Sequence, residues 1–217
     1  NKKDDSIKYS RLVGRIKNAI VRRYLVPGTG RFDNGTQSAQ IFAIWYALSP
    51  EEKLSWQILM DEFKRHDWHI STGIFSTKMM FDILRDHEAN ETAYKIATQP
   101  DYPGWLNMIN HNATTLWETW AYPESSPSQN HPMFGSVDEW FYRSLLGINN
   151  AAPGFRKIII KPQPGGDLTW VNVRYKSISG AISSDWKKDG NKFSLHVSIP
   201  AKDKATIYIP SNANSSV

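Results

Sequence analysis

Between Asn112 and Trp140 the chain sets one carboxylate between two indoles and follows it with a histidine. The run Ala113-Thr114-Thr115-Leu116-Trp117-Glu118-Thr119-Trp120 leads into a polar loop and then Asn130-His131-Pro132-Met133-Phe134-Gly135-Ser136-Val137. Indoles beside a carboxylate and an imidazole suit a sugar site. A pyranose lays its C–H face on an aromatic ring while Glu118 and His131 meet its hydroxyls. Desolvation by the flanking rings raises a carboxylate pKa, toward the range in which Glu118 acts as a general base. The competing reading makes Trp117 and Trp120 core residues three apart and Glu118 an ordinary surface acid. In that reading His131 is a loop cap bonded to a carbonyl.

Composition narrows the function classes. The 217 residues are 40% hydrophobic and 22% charged, an ordinary globular balance with room for one large or two modest domains. Aromatics make up 12%, with nine Trp, a surplus that points the same way as the Trp-rich loop. Cysteine is absent, which excludes disulfides and thiolate metal sites and leaves the compartment open. The histidine pair His66 and His69 has no further ligand at metal spacing, so no metal is expected. There is no Gly-rich phosphate loop, no Gly-x-Ser-x-Gly elbow and no dinucleotide fingerprint, and no cofactor is implied. The net charge of +5 is spread along the chain apart from an N-terminal cluster from Lys2 to Arg23. That cluster reads as the wet side of an amphipathic helix, so nucleic acid is not an expected partner. No apolar run approaches the roughly 18 residues that span a bilayer, and membrane insertion is not expected. The four Asn-x-Ser/Thr sequons, at Asn34, Asn90, Asn112 and Asn214, are too short a motif to carry meaning. A chain that starts at Asn1 reads as a mature or trimmed product.

Two periodicities organise the chain. From about Ser6 to Gly147 the spacing is helical: Tyr9, Leu12, Val13, Ile16, Ile20 and Tyr24 form one apolar stripe that Pro27-Gly28-Thr29-Gly30 stops. Further helices are expected over Ser38–Leu48, after the Ser49-Pro50-Glu51-Glu52 capping box with Leu54, Ile58, Leu59 and Phe63 inward, over Ser76–Asp86, and from Asn90 through Ile96. A last helix is expected after a second box, Ser136-Val137-Asp138-Glu139. Trp105, after Pro103-Gly104, is placed on a loop. Beyond Pro153-Gly154 the period becomes two. Ile158–Ile160, Leu168–Tyr175, a hairpin across Asp189-Gly190 between Ile182 and Ile199, and Thr206–Ile209 read as strands. The expected boundaries are residues 1–153 for a helical unit and 154–217 for a small antiparallel β unit that serves packing.

Five further motifs are Gln37-Ser38-Ala39-Gln40, His69-Ile70-Ser71-Thr72-Gly73, Pro103-Gly104-Trp105-Leu106-Asn107-Met108-Ile109, Gly147-Ile148 and Pro153-Gly154-Phe155. Taken in order with the Glu118 and His131 motifs, they resemble the C-terminal part of the bacterial α-L-rhamnosidases of glycoside hydrolase family 78. The likeness covers essentially the whole chain. It implies an α+β multidomain fold, part of an (α/α)6 barrel of helical hairpins followed by a β-sandwich. It also implies inverting hydrolysis of terminal α-L-rhamnosides, with two carboxyl groups roughly 6.5–9.5 Å apart. By resemblance Glu118 is the general base and His131 holds rhamnose hydroxyls, while Trp105, Trp120 and Trp117 are sugar-facing aromatics. Rhamnose-containing glycans or glycosides are the implied partners. Export to the periplasm or beyond follows by analogy, alongside a cytoplasmic role on imported oligosaccharides.

One departure qualifies the likeness. The family's general acid lies upstream of the region matched, and the helices counted here are about half those of a full barrel. The expectation is therefore a C-terminal portion of the enzyme. It would expose apolar surface meant for missing helices and self-associate or await its N-terminal half. Glu124, the one spare acid on the polar loop, is a weak substitute. The alternative is a catalytically silent carbohydrate-binding or interaction fragment.

Overall fold

The computed structural model describes residues 2–121 and 128–211. The first helix, α1 (Lys3–Tyr24), carries Asp4 and Asp5 in its first turn and Arg22 and Arg23 in its last, charges matched to the helix dipole. Its apolar stripe is largely uncovered. Ile7, Tyr9, Leu12, Val13 and Ile16 stand exposed, and only Ile20 and Val21 join a small cluster with Phe32, Ala43 and Leu48. A short hairpin, β1 (Leu25–Val26) and β2 (Arg31–Phe32), turns the chain into α2 (Gln37–Trp45).

The helices α3 (Glu52–Arg65), α4 (Ile74–Asp86) and α5 (Asn90–Ala97) follow, and the hairpins α2–α3 and α4–α5 stack through α2 and α4. The short α7 (Ser136–Trp140) continues the row by packing on α4. Between these elements Ile41, Leu59, Phe63, Met80, Leu84 and Ile96 form the main core. Leu59 and Phe63 face it as their spacing implies, whereas Leu54 is exposed.

Neither expected capping box forms. Ser49 Oγ accepts the N–H of Glu51 at 3.1 Å, and α3 starts beyond it with no side-chain cap. At the second box Ser136 leaves its hydroxyl unpaired, because a 3-10 turn over Pro132–Gly135 already leads the chain into α7. Glu139 turns instead to Lys78 at 2.8 Å and Arg143 at 2.7 Å. Arg143 in turn reaches the buried Asp82 at 3.1 Å, tying α4 to α7. Burial alone would raise the Glu139 pKa, but hydrogen bonds and charges from Lys78 and Arg143 outweigh it and hold the carboxyl below the ordinary glutamate value. A depressed folded-state pKa stabilises the fold above the unfolded value and loses that contribution as pH falls through the folded one. The thermal midpoint should therefore drop as pH falls below the ordinary glutamate range, less steeply in Glu139→Gln, as read by circular dichroism melts.

After a π turn over Phe141–Leu145 the period-two region builds two three-stranded sheets. One contains β3 (Ile148–Asn150), β4 (Lys157–Ile160) and β8 (Lys204–Ile207), with β4 and β8 parallel and β3 and β4 antiparallel. The other is antiparallel: β5 (Trp170–Ser177), β6 (Gly180–Asp189) and β7 (Lys192–Ser198). Leu146, Ile148, Ile158, Ile160 and Ile182 fill the space between them with Val171, Val173, Leu195 and Val197. The first sheet thus begins at Ile148, ahead of the Pro153-Gly154 turn.

The β unit is fastened to the helices by buried polar contacts. The indole N–H of Trp186 donates to the Leu145 carbonyl and the Ser184 hydroxyl to that of Leu146, each at 2.7 Å. Asn90 accepts from the Trp140 indole at 2.7 Å and donates to the Gln163 carbonyl, so one side chain ties α5, α7 and the link to the sheets.

Candidate active site

Two irregular segments lie against one another and hold Glu118 and His131. The N–H of Glu118 donates to the Ser128 carbonyl at 3.0 Å, the N–H of His131 donates to the Leu116 carbonyl at 2.9 Å, and the Thr115 hydroxyl donates to the Gln129 carbonyl. This pairing brings Glu118 and His131 onto adjacent stretches of chain. Both side chains are half-buried, shielded and still reachable. His131 Nδ1 accepts the N–H of Met133 at 3.4 Å, capping the 3-10 turn. With Nδ1 used as an acceptor, Nε2 is the ring nitrogen left to donate. It does cap the loop, through an N–H rather than a carbonyl.

The tryptophans sit behind these segments. Trp117, Trp105 and Trp120 are 2%, 7% and 9% exposed. Trp120 stacks on Phe134 at 3.7 Å and meets Trp105 edge-on at 4.9 Å. Their indole N–H groups are engaged, Trp120 with the Thr72 carbonyl at 2.7 Å and Trp105 with the Phe134 carbonyl at 3.0 Å. Trp105 is not on a loop: it opens a short helix, α6 (Trp105–Asn110), where its ring packs on Phe81. The aromatic block therefore fixes the two segments against the helical core.

Two residues gain a role that side-chain type alone did not reveal. Gln37, at the start of α2 and fully buried, donates to the His69 carbonyl at 2.9 Å and accepts from the Ser71 N–H at 2.8 Å. It clamps the His69–Gly73 loop, and Thr72 in that loop anchors Trp120. The signal was a pair of amides, Gln37 and Gln40, at the start of a mostly apolar helix, which must find partners when buried. Among the other acids, Asp101 and Asp138 are exposed and Glu139 is held ionised by its cations, which suits an ion pair and not a proton donor. Glu124 lies outside the described residues. No group of three or more potential metal ligands occurs among the described residues, and His69 bonds back to the carbonyls of His66 and Asp67.

Residues 1–145 match the bacterial α-L-rhamnosidase six-hairpin glycosidase domain, and residues 147–217 match the bacterial α-L-rhamnosidase C-terminal domain. The chain belongs to the bacterial α-L-rhamnosidase family. An α-L-rhamnosidase of Streptomyces avermitilis is 32% identical over 219 residues, covering 96% of this chain and 21% of that protein. The solved structure of the α-L-rhamnosidase from Dictyoglumus thermophilum superposes with a TM-score of 0.92 at 35% identity, covering 99% of this chain and 25% of its own. The Streptomyces avermitilis α-L-rhamnosidase complexed with L-rhamnose superposes at 0.88 with 31% identity, over 95% of this chain and 21% of its own. The chain spans about a fifth to a quarter of the length of these relatives. The helical hairpins and paired sheets agree with a partial barrel and C-terminal sandwich of that family.

Proposed function

We propose that this chain supplies the general base and part of the sugar pocket of an inverting α-L-rhamnosidase. A longer polypeptide supplies the general acid. The pairing of the Glu118 and His131 segments supports the reading, since a half-buried carboxylate and a half-buried imidazole stand on adjacent stretches of chain. In this mechanism Glu118 takes a proton from water as the water oxygen attacks the anomeric carbon. The bond to the leaving oxygen breaks while the acid from the rest of the polypeptide protonates it. His131 Nε2–H holds a sugar hydroxyl. Trp105, Trp117 and Trp120 serve as the aromatic backing of the sugar pocket, keeping the two segments in register and water out. The exposed faces of α1 and α2, with Ile7, Leu12, Trp45 and Tyr46, receive the remaining barrel helices, or a second copy when those are missing.

Calorimetric titration of the chain with L-rhamnose, beside an assay on p-nitrophenyl α-L-rhamnoside, tests the reading. We expect weak rhamnose binding that His131→Ala reduces by roughly tenfold, the worth of one hydrogen bond to a polar partner. Turnover is expected only when the chain is part of the longer polypeptide. Absence of any rhamnose binding, both alone and in that polypeptide, contradicts it.

A further inference from the structure

Charge is less evenly spread than the whole-chain value suggests. Residues 147–217 carry ten Lys and Arg against four Asp, while residues 1–146 carry sixteen basic against seventeen acidic side chains. One of those four aspartates, Asp203, is buried 3.6 Å from Arg156. The β unit is a basic surface attached to a nearly neutral helical one.

Strand alternation places the chemistry of that surface. In the β5–β6–β7 sheet Val171, Val173, Leu195 and Val197 point to the core, so their neighbours point to solvent. Cross-strand register sets Trp170, Lys187 and Ser194 in one row and Asn172, Asp185 and His196 in the next. These six residues, with Val171, Trp186 and Leu195 of the same strands, line a cleft of about 360 Å³. Trp170 is 65% exposed, an indole of large apolar area left in water. Asp185 accepts the N–H of Val173 at 3.2 Å, which fixes its carboxylate within the cleft. Arg174, exposed, stands in the row beyond Asn172.

We propose that this face is a second glycan-binding site, for a polysaccharide that bears uronic-acid carboxylates. A pyranose ring stacks on Trp170, and Asn172, His196 and Asp185 bond its hydroxyls from the neighbouring row. Lys187 and Arg174 flank that seat and meet carboxylates on adjoining sugar units. The fixed Asp185 accepts from hydroxyl donors of the stacked ring and keeps anions out of that seat, so the carboxylates fall on the adjoining units beside Lys187 and Arg174. The site lies in the other domain from Glu118 and acts by holding the glycan, so it stands whether or not Glu118 is a base.

Calorimetry and affinity electrophoresis of the 217-residue chain on polygalacturonate, neutral galactan and duplex DNA test this. Polygalacturonate should bind, more weakly as salt rises, with saturating L-rhamnose failing to compete. Trp170→Ala should weaken binding by about tenfold or more with the melting temperature unchanged, since the ring is solvent-facing. His196→Ala should weaken it less, and Lys187→Gln should flatten the salt dependence. Equal binding of galactan or DNA, or full binding by Trp170→Ala, would overturn the proposal.

Discussion

Glu118→Gln, made in a polypeptide that carries this chain with the rest of the barrel, is expected to lower kcat on an α-L-rhamnoside by about 10²–10⁴-fold, the usual worth of a positioned proton acceptor. The amide keeps the size of the side chain but cannot take a proton from water. The backbone bond from residue 118 to Ser128 does not involve the side chain, so the segment stays in place. Rhamnose affinity and the thermal midpoint should consequently stay near the parent values. A structural acid gives the reverse pattern, a lowered midpoint with activity falling only in proportion. Steady-state kinetics beside a melting curve separate the two.

The second large effect is expected at Gly147, where the helical unit passes into the sheets. Its φ of +74° lies in the left-handed region, and an added Cβ would sit 2.1 Å from the Lys161 carbonyl carbon and 2.2 Å from the Pro162 nitrogen. Both obstacles are backbone, and the Gly147 carbonyl itself accepts the N–H of Lys161 at 2.9 Å. Backbone strain and overpacking each cost about 1–3 kcal/mol. At roughly 2–4 °C per kcal/mol for a chain of this size, Gly147→Ala should lower the melting temperature by on the order of 10 °C. Gly14→Ala is the matched control. It lies inside α1 with nothing within 4 Å of an added Cβ, and it should raise stability by up to about 1 kcal/mol.

The elements that local chemistry decides were legible in the amino-acid sequence. The Asp189-Gly190 hairpin follows from alternation on both sides and a glycine that reaches φ +55°. Helices α2 to α5 follow from apolar spacing, with ends displaced by a few residues. What was not legible depends on tertiary position. The Ser49 and Ser136 boxes have the right residues at the right spacing, yet Glu139 gains more from Lys78 and Arg143 than from a free N–H. Strand β3 is three residues long, too short to show a period, and exists because β4 lies beside it. Trp105 and Trp120 have the same composition signature in a sugar pocket as in a core. Only the carbonyls of Phe134 and Thr72, far away in the chain, decide where their indoles point. The outer sheet face around Trp170 is hidden in the amino-acid sequence for a similar reason. Its polar residues belong to three strands and gather only once the register is known.

In the proposed mechanism Glu118 activates water on the face of the sugar opposite the leaving group. The most direct test is the anomeric configuration of the first product. Proton NMR of an α-L-rhamnoside, followed from the moment a polypeptide carrying this chain is added, should show β-L-rhamnose first, with the α anomer growing in by mutarotation. Release of α-L-rhamnose first would contradict the account and make the carboxylate a nucleophile.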